Sequence, residues 1–155
     1  MFSNPLVIDI LNFLDQNIYR KIAMDELAEG FHYNKDYIMR IFKKEIQATI
    51  IEYINYRRIF NSLYALKNKD SSILSIALSY GFSSQEYYCE IFHHVMSVSP
   101  SDYRLFLNYS IGLNEEIVFN IQDRLSFLDS FFKKVEEYKR NIPPKNDIKM
   151  LSIFR

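Results

Sequence analysis

Tryptophan is absent from this chain, and cysteine, glycine and proline are scarce: one Cys, three Gly and four Pro in 155 residues. The lone Cys89 excludes an internal disulfide framework and any cysteine-based zinc cluster, and it fits a reducing, cytoplasmic setting. So little Gly and Pro disfavours a turn-rich β fold and leaves no glycine-rich loop to cradle a nucleotide phosphate. Neither sign of charge is in excess. The 19 Lys and Arg against 19 Asp and Glu exclude a wholesale basic coat for nucleic acid, though not a local basic patch. The N-terminus lacks a basic stretch, and Asp9 and Asp15 break its apolar run, so no signal peptide is expected. No run approaches the roughly 20 apolar residues that a membrane helix needs.

What is present is apolar and aromatic: 48% hydrophobic residues, including 12 Tyr and 13 Phe, enough for one bulky core with or without an appendage. The periodicity is helical. Leu6, Ile10, Phe13 and Leu14 form one stripe of a helix over 5–18. Asp25 and Glu26 open a short helix that Gly30 is expected to end. Asn34 caps a helix to about Glu45, with Ile38, Ile41 and Phe42 inward. Thr49 to Glu52 reads as a capping box opening a long helix to about Leu66. Ser72 opens a short helix stopped by Gly81. Ser83 to Glu86 reads as a second capping box, for a helix to about His94. Ser99, Pro100 and Asp102 mark one more start, for a helix to about Tyr109. No strand is expected before residue 110.

Two segments repeat each other. Ala28 matches Ala77 at an offset of 49, while Tyr37, Ile41 and Phe42 match Tyr87, Ile91 and Phe92 at an offset of 50. One inserted residue near the turn explains the change. Each copy is a short helix, a tight turn and a longer helix, which is a helix-turn-helix unit. The small Ala lets the second helix cross closely, and the Ile-Phe pair buries one face of it. The opposite face is left for a DNA major groove.

Leu27-Ala28, Tyr37 to Lys44, Arg58, Ser75 to Phe82, Ser83 to Tyr88 and Ser99 to Arg104 together resemble an AraC/XylS-type DNA-binding domain, over roughly residues 5–109. The resemblance implies an all-α fold of two helix-turn-helix subdomains on a linker helix, to which the residues beyond it add a long C-terminal helix. It implies a bacterial transcription regulator of promoter DNA, commonly an activator that contacts RNA polymerase. Its recognition helices, about 34–45 and 84–94, would enter successive major grooves about 34 Å apart. Carried over by position, the DNA-binding residues would be Asn34, Lys35, Asp36, Tyr37, Met39, Arg40, Lys43 and Lys44 in unit one. In unit two they would be Ser83, Ser84, Gln85, Glu86, Tyr87 and Glu90. Arg40 is the leading base reader, because a guanidinium reads guanine bidentately. Lys35, Lys43 and Lys44 would hold phosphates, although Lys43 and Lys44 also suit a solvated helix end that complements the dipole.

Unit two departs from the pattern. Glu90 stands where unit one has Arg40, His93-His94 stand where basic residues are common, and no Lys or Arg lies between Ser83 and His94. Glu90 either accepts a hydrogen bond from cytosine or marks a weakened reader. Over residues 1–109 there are 11 Lys and Arg against 12 Asp and Glu, so unit one would dominate binding. Arg57 and Arg58 are expected either to reach DNA or to pair with Glu52 or Glu45. No metal or other cofactor is expected, since adjacent helical histidines point about 100° apart. Cys89 reads as a packing residue. No catalytic constellation is recognisable, so an enzyme is not expected.

Residues 110–155 lie beyond the resemblance. A helix from Asn114 to Arg140 carries Val118, Ile121, Leu125, Leu128, Phe132 and Val135 at spacings of three and four, as in a heptad seam. Three arrangements fit: homodimerisation through that seam, packing back onto the chain's own domain, or connection to a sensory domain with residues 147–154 as a first strand. The alternative to a DNA-binding regulator is a degenerate module of the same fold that binds another regulator or polymerase.

Overall fold

A computed structural model of the chain describes residues 2–109 and 112–144. Among them the fold is all-α, with no strand. The helices are α1 (Pro5–Gln16), α2 (Met24–Phe31), α3 (Lys35–Ile46), α4 (Ile50–Ser62), α5 (Ile73–Ser79), α6 (Gln85–Met96), α7 (Pro100–Asn108) and α8 (Glu115–Arg140). A tight 3-10 turn, Tyr64–Lys67, continues α4 past the stop at Ser62, short of the expected Leu66.

Helix starts are written in side-chain oxygens. Asn4, Asn34, Thr49, Ser72, Ser84, Ser99 and Asn114 each accept an N–H from the first turn that follows. At Thr49 the box is reciprocal, because Glu52 accepts the Thr49 N–H in return. Two expectations are corrected. Gly30 does not end α2; the chain turns at His32, whose φ is 59°. Ser84, not Ser83, caps α6, so the third helical residue is Tyr87 and Glu86 closes no box.

α2 with α3 and α5 with α6 form the two helix-turn-helix units, with α4 between them. One continuous core runs through both units: Leu11, Leu14, Leu27, Ile38, Phe42 and Tyr53 are buried in it, as are Leu66, Ile76, Ala77, Tyr88, Phe92 and Tyr103. Arg58 of α4 ties the units together. It is only 8% exposed. Its guanidinium donates to the Ile18 carbonyl at 2.6 Å and the Arg20 carbonyl at 2.8 Å, and lies against the Phe82 ring. Gly81, at φ +91°, lets the turn of unit two reach this joint, since a Cβ there would meet Tyr19 Cα and Arg58 Nε at 2.9 Å. Arg58 therefore bonds backbone carbonyls rather than Glu52 or Glu45.

α8 packs back on its own chain. Ile121, Leu128, Phe132 and Val135 are buried there, with Val118 and Leu125 half-buried. Phe131 and Phe132 lie against Tyr53 of α4, and Phe60 meets Phe132 at 5.1 Å. Toward unit two, the Arg124 Nε donates to the Val95 carbonyl of α6 at 2.6 Å. Toward unit one, Tyr138 accepts the Asn4 N–H, and Lys139 pairs with Asp15. Four of the six seam residues are thus buried within the chain, the arrangement in which α8 packs back on its own domain. Helical spacing marks a buried face without naming what buries it. The strand considered at 147–154 lies outside the described residues.

Candidate nucleic-acid interface

α3 is positioned by its buried side. Ile38, Phe42 and Ile46 enter the core, which turns Asp36, Met39, Arg40, Lys43 and Lys44 outward. Asn34 Oδ1 accepts the Asp36 N–H at 2.8 Å, so the cap residue is engaged with its own helix. Tyr37 is half-buried and stacks on Tyr33 with ring centres 5.3 Å apart, and the Arg40 guanidinium lies 5.9 Å from the Tyr37 ring. Tyr33 thereby joins the face although the sequence did not single it out; an aromatic just before the cap was the available signal. Lys35 is not free: its ammonium meets Asp25 at 2.9 Å, and that carboxylate raises its pKa above the ordinary lysine value. Both groups are well exposed, so a phosphate can displace this pairing with little penalty.

Beside α3 runs an open groove of about 460 Å³, lined by Met24, Met39, Arg40, Lys43, Ile50 and Ile51 among others. Its apolar wall includes Ile51, 60% exposed, and Met39, 48% exposed. Ile51 and Met24 were not anticipated, because an apolar residue in a helical stripe reads as core until the neighbours are placed.

α6 repeats this geometry with different chemistry. Tyr88, Phe92, Val95 and Met96 are buried, while Gln85, Glu86, Glu90, His93 and His94 are exposed. Ser83 is exposed on the turn, and Tyr87 leans on Phe82 with ring centres 5.8 Å apart. Glu86 occupies the first turn, where a helix N-terminus favours an acid. Burial, with a smaller push from Glu86, raises the half-buried Cys89 thiol above its ordinary value, the opposite of an activated nucleophile. Arg57 is drawn away from the outer face. It donates to the Tyr53 hydroxyl at 3.0 Å and meets Asp15 at 3.5 Å, beneath α8.

Among the described residues no cluster of three or more His, Cys, Asp or Glu could hold a metal ion, and no helix is long and apolar enough to cross a membrane.

A family model described as "Helix-turn-helix domain" matches residues 27–105. The probable transcription factor PqrA of Proteus vulgaris is 39% identical over 104 residues, covering 66% of this chain and 85% of that protein. The HTH-type transcriptional activator AarP of Providencia stuartii is 31% identical over 104 residues, 67% of this chain and 77% of its own length. The DNA-binding domain of AdpA, solved with a target DNA, superposes with a TM-score of 0.60 at 19% identity, over 71% of this chain and all of that one. At that identity the last likeness speaks for the fold.

Proposed function

Because the chain belongs to the AraC-type helix-turn-helix family of transcription regulators, whose members are DNA-binding proteins and not enzymes, we propose that it reads bacterial promoter DNA with α3 and α6. Each helix enters one of two successive major grooves, and α3 supplies most of the affinity. The observation carrying this reading is the shared geometry of the two helices. Both run twelve residues, between caps at Asn34 and Gln47 and at Ser84 and Ser97, and both turn their middle residues outward. Arg40 reads a base, while Lys43, Lys44 and the displaceable Lys35 hold phosphates. The protein acts in the cytoplasm as an activator placed beside RNA polymerase. One chain already carries two reading heads, and four of the six α8 seam residues are buried within it, so it engages DNA as a monomer.

The test is selection from a randomised duplex pool, followed by fluorescence anisotropy at two salt concentrations. Wild type enriches one motif and weakens steeply with salt. Arg40→Ala loses about 1–3 kcal/mol of discrimination at one position of that motif. Absence of any enriched motif sinks the sequence-reading assignment and leaves a protein-binding module of the same fold.

A further inference from the structure

The two recognition helices are register-matched along their whole length. Their caps, Asn34 and Ser84, stand 50 residues apart, and so do their left-handed ends, Gln47 at φ 66° and Ser97 at φ 61°. Buried Ile38, Phe42 and Ile46 correspond at the same offset to buried Tyr88, Phe92 and Met96. The same rule places His93 on Lys43 and His94 on Lys44, all four exposed in the last helical turn. α3 carries four cations against two acids, whereas α6 has two acids and no Lys or Arg.

We propose that His93 and His94 are the phosphate-holding residues of unit two, and that they bind DNA as imidazolium, so that the second unit's grip is taken up together with protons. The proposal rests on the DNA-reading assignment above. Imidazole is the side chain whose charge ordinarily changes between about pH 5 and 8, and a nearby phosphate favours its protonated form. A neutral imidazole offers a phosphate one N–H and no charge; the cation offers two N–H donors and the charge as well.

The surroundings of α6 permit this. On α6 itself Glu90 lies one turn before both histidines, with Glu86 further back. The elements packed most extensively against α6 are α4, α5, α7 and α8. α5 carries no charged residue. From α4, Arg58 lies on Phe82, and Arg57 and Glu52 are engaged within unit one and α8. From α7, Arg104 donates to the carbonyls of Leu66 and Ser71, Tyr103 meets Phe92, and Asp102 sits in the first turn behind Ser99. From α8, Arg124 bonds the Val95 carbonyl, one residue past His94, and Asp123 is its neighbour in sequence. Among the described residues no carboxylate comes within 4.0 Å of either imidazole, so neither histidine is committed to an internal ion pair.

The test uses the full chain and a fluorescein-labelled randomised DNA duplex pool, with anisotropy titrations at about pH 7.5 and about pH 5.5 across a salt series. Wild type binds at least about tenfold tighter at the lower pH, and its salt slope steepens by roughly 1.8, since each neutralised phosphate contributes about 0.9. His93→Gln with His94→Gln removes both changes. His93→Lys with His94→Lys binds tightly at both pH values with the steeper slope throughout. His32→Gln removes the remaining imidazole and leaves the pH response intact. A wild-type salt slope equal at the two pH values overturns the proposal, as does a pH response that survives in the double Gln variant. Binding that is pH-independent defeats this inference alone, whereas no binding by wild type or the double Lys variant at either pH defeats the DNA-reading assignment with it.

Discussion

Phe132→Ala tests the claim that α8 belongs to the core of its own chain. Phe132 is 7% exposed. Its ring lies 5.1 Å from Phe60 and 6.4 Å from Tyr53, and the Arg57 guanidinium stands 4.0 Å from its centre. Removing the ring forfeits its transfer free energy and leaves a cavity between α4 and α8; buried Phe to Ala changes cost about 3–5 kcal/mol. Loss of the cation–π contact adds about 1 kcal/mol, and a compact denatured state takes back a similar amount. The expected loss is therefore about 4 kcal/mol, a large share of the stability of a domain this size. At about 2–4 °C per kcal/mol it lowers Tm by roughly 8–16 °C. The assay is urea unfolding followed by far-UV circular dichroism, run at two protein concentrations about fiftyfold apart. Both proteins should unfold at midpoints independent of concentration. A loss under about 1 kcal/mol would mean that the seam is not packed as described. A wild-type midpoint that rises with concentration would place the seam between two copies instead.

Two glycines should respond in opposite directions in thermal melts. Gly81→Ala forces a Cβ onto Tyr19 Cα at positive φ and should cost about 2 kcal/mol or more. Gly30→Ala, inside α2 with nothing within 4 Å of the added carbon, should stabilise by about 0.5–1 kcal/mol; equal effects at the two sites would refute the turn geometry. Alkaline stability gives a third test. Burial raises the hydroxyls of Tyr53 and Tyr88 above the ordinary tyrosine value. The folded chain then holds these protons more tightly than the unfolded chain. Their contribution is full below about pH 10 and is lost as pH rises beyond it. Tyr53→Phe and Tyr88→Phe should each flatten the fall in stability measured by urea unfolding above that pH, and an unchanged alkaline limb would count against burial as the cause.

Local chemistry made much of this fold legible. Asn34, Thr49, Ser72, Ser99 and Asn114 cap the helices they were expected to open, because a cap needs only a short oxygen at the right step of the chain. Adjacent serines were ambiguous: Ser83 and Ser84 offer the same oxygen, and the choice of Ser84 depends on how unit two's turn lies. Gly30 misled because the left-handed position was taken by His32, which tolerates it. Arg58 misled for a different reason. Nearby carboxylates were visible in sequence, but its acceptors are carbonyls about forty positions away. On the interface, α3's outward residues followed from the buried stripe, whereas the Lys35–Asp25 pair and the groove wall at Ile51 needed tertiary placement.

The joint at Arg58 and the span of α8 from Val95 to Asn4 have a mechanical consequence. If α3 and α6 read DNA as proposed, a buried clamp and an outer splint fix the spacing between the two heads. A misfit between that spacing and the duplex would then be taken up as bending or twisting of the DNA. Elastic energy of that kind depends on the base steps between the two grooves, which no side chain touches. A flexible step there lowers the strain, and a stiff tract raises it. A reader held this way selects sites by how readily their silent middle deforms.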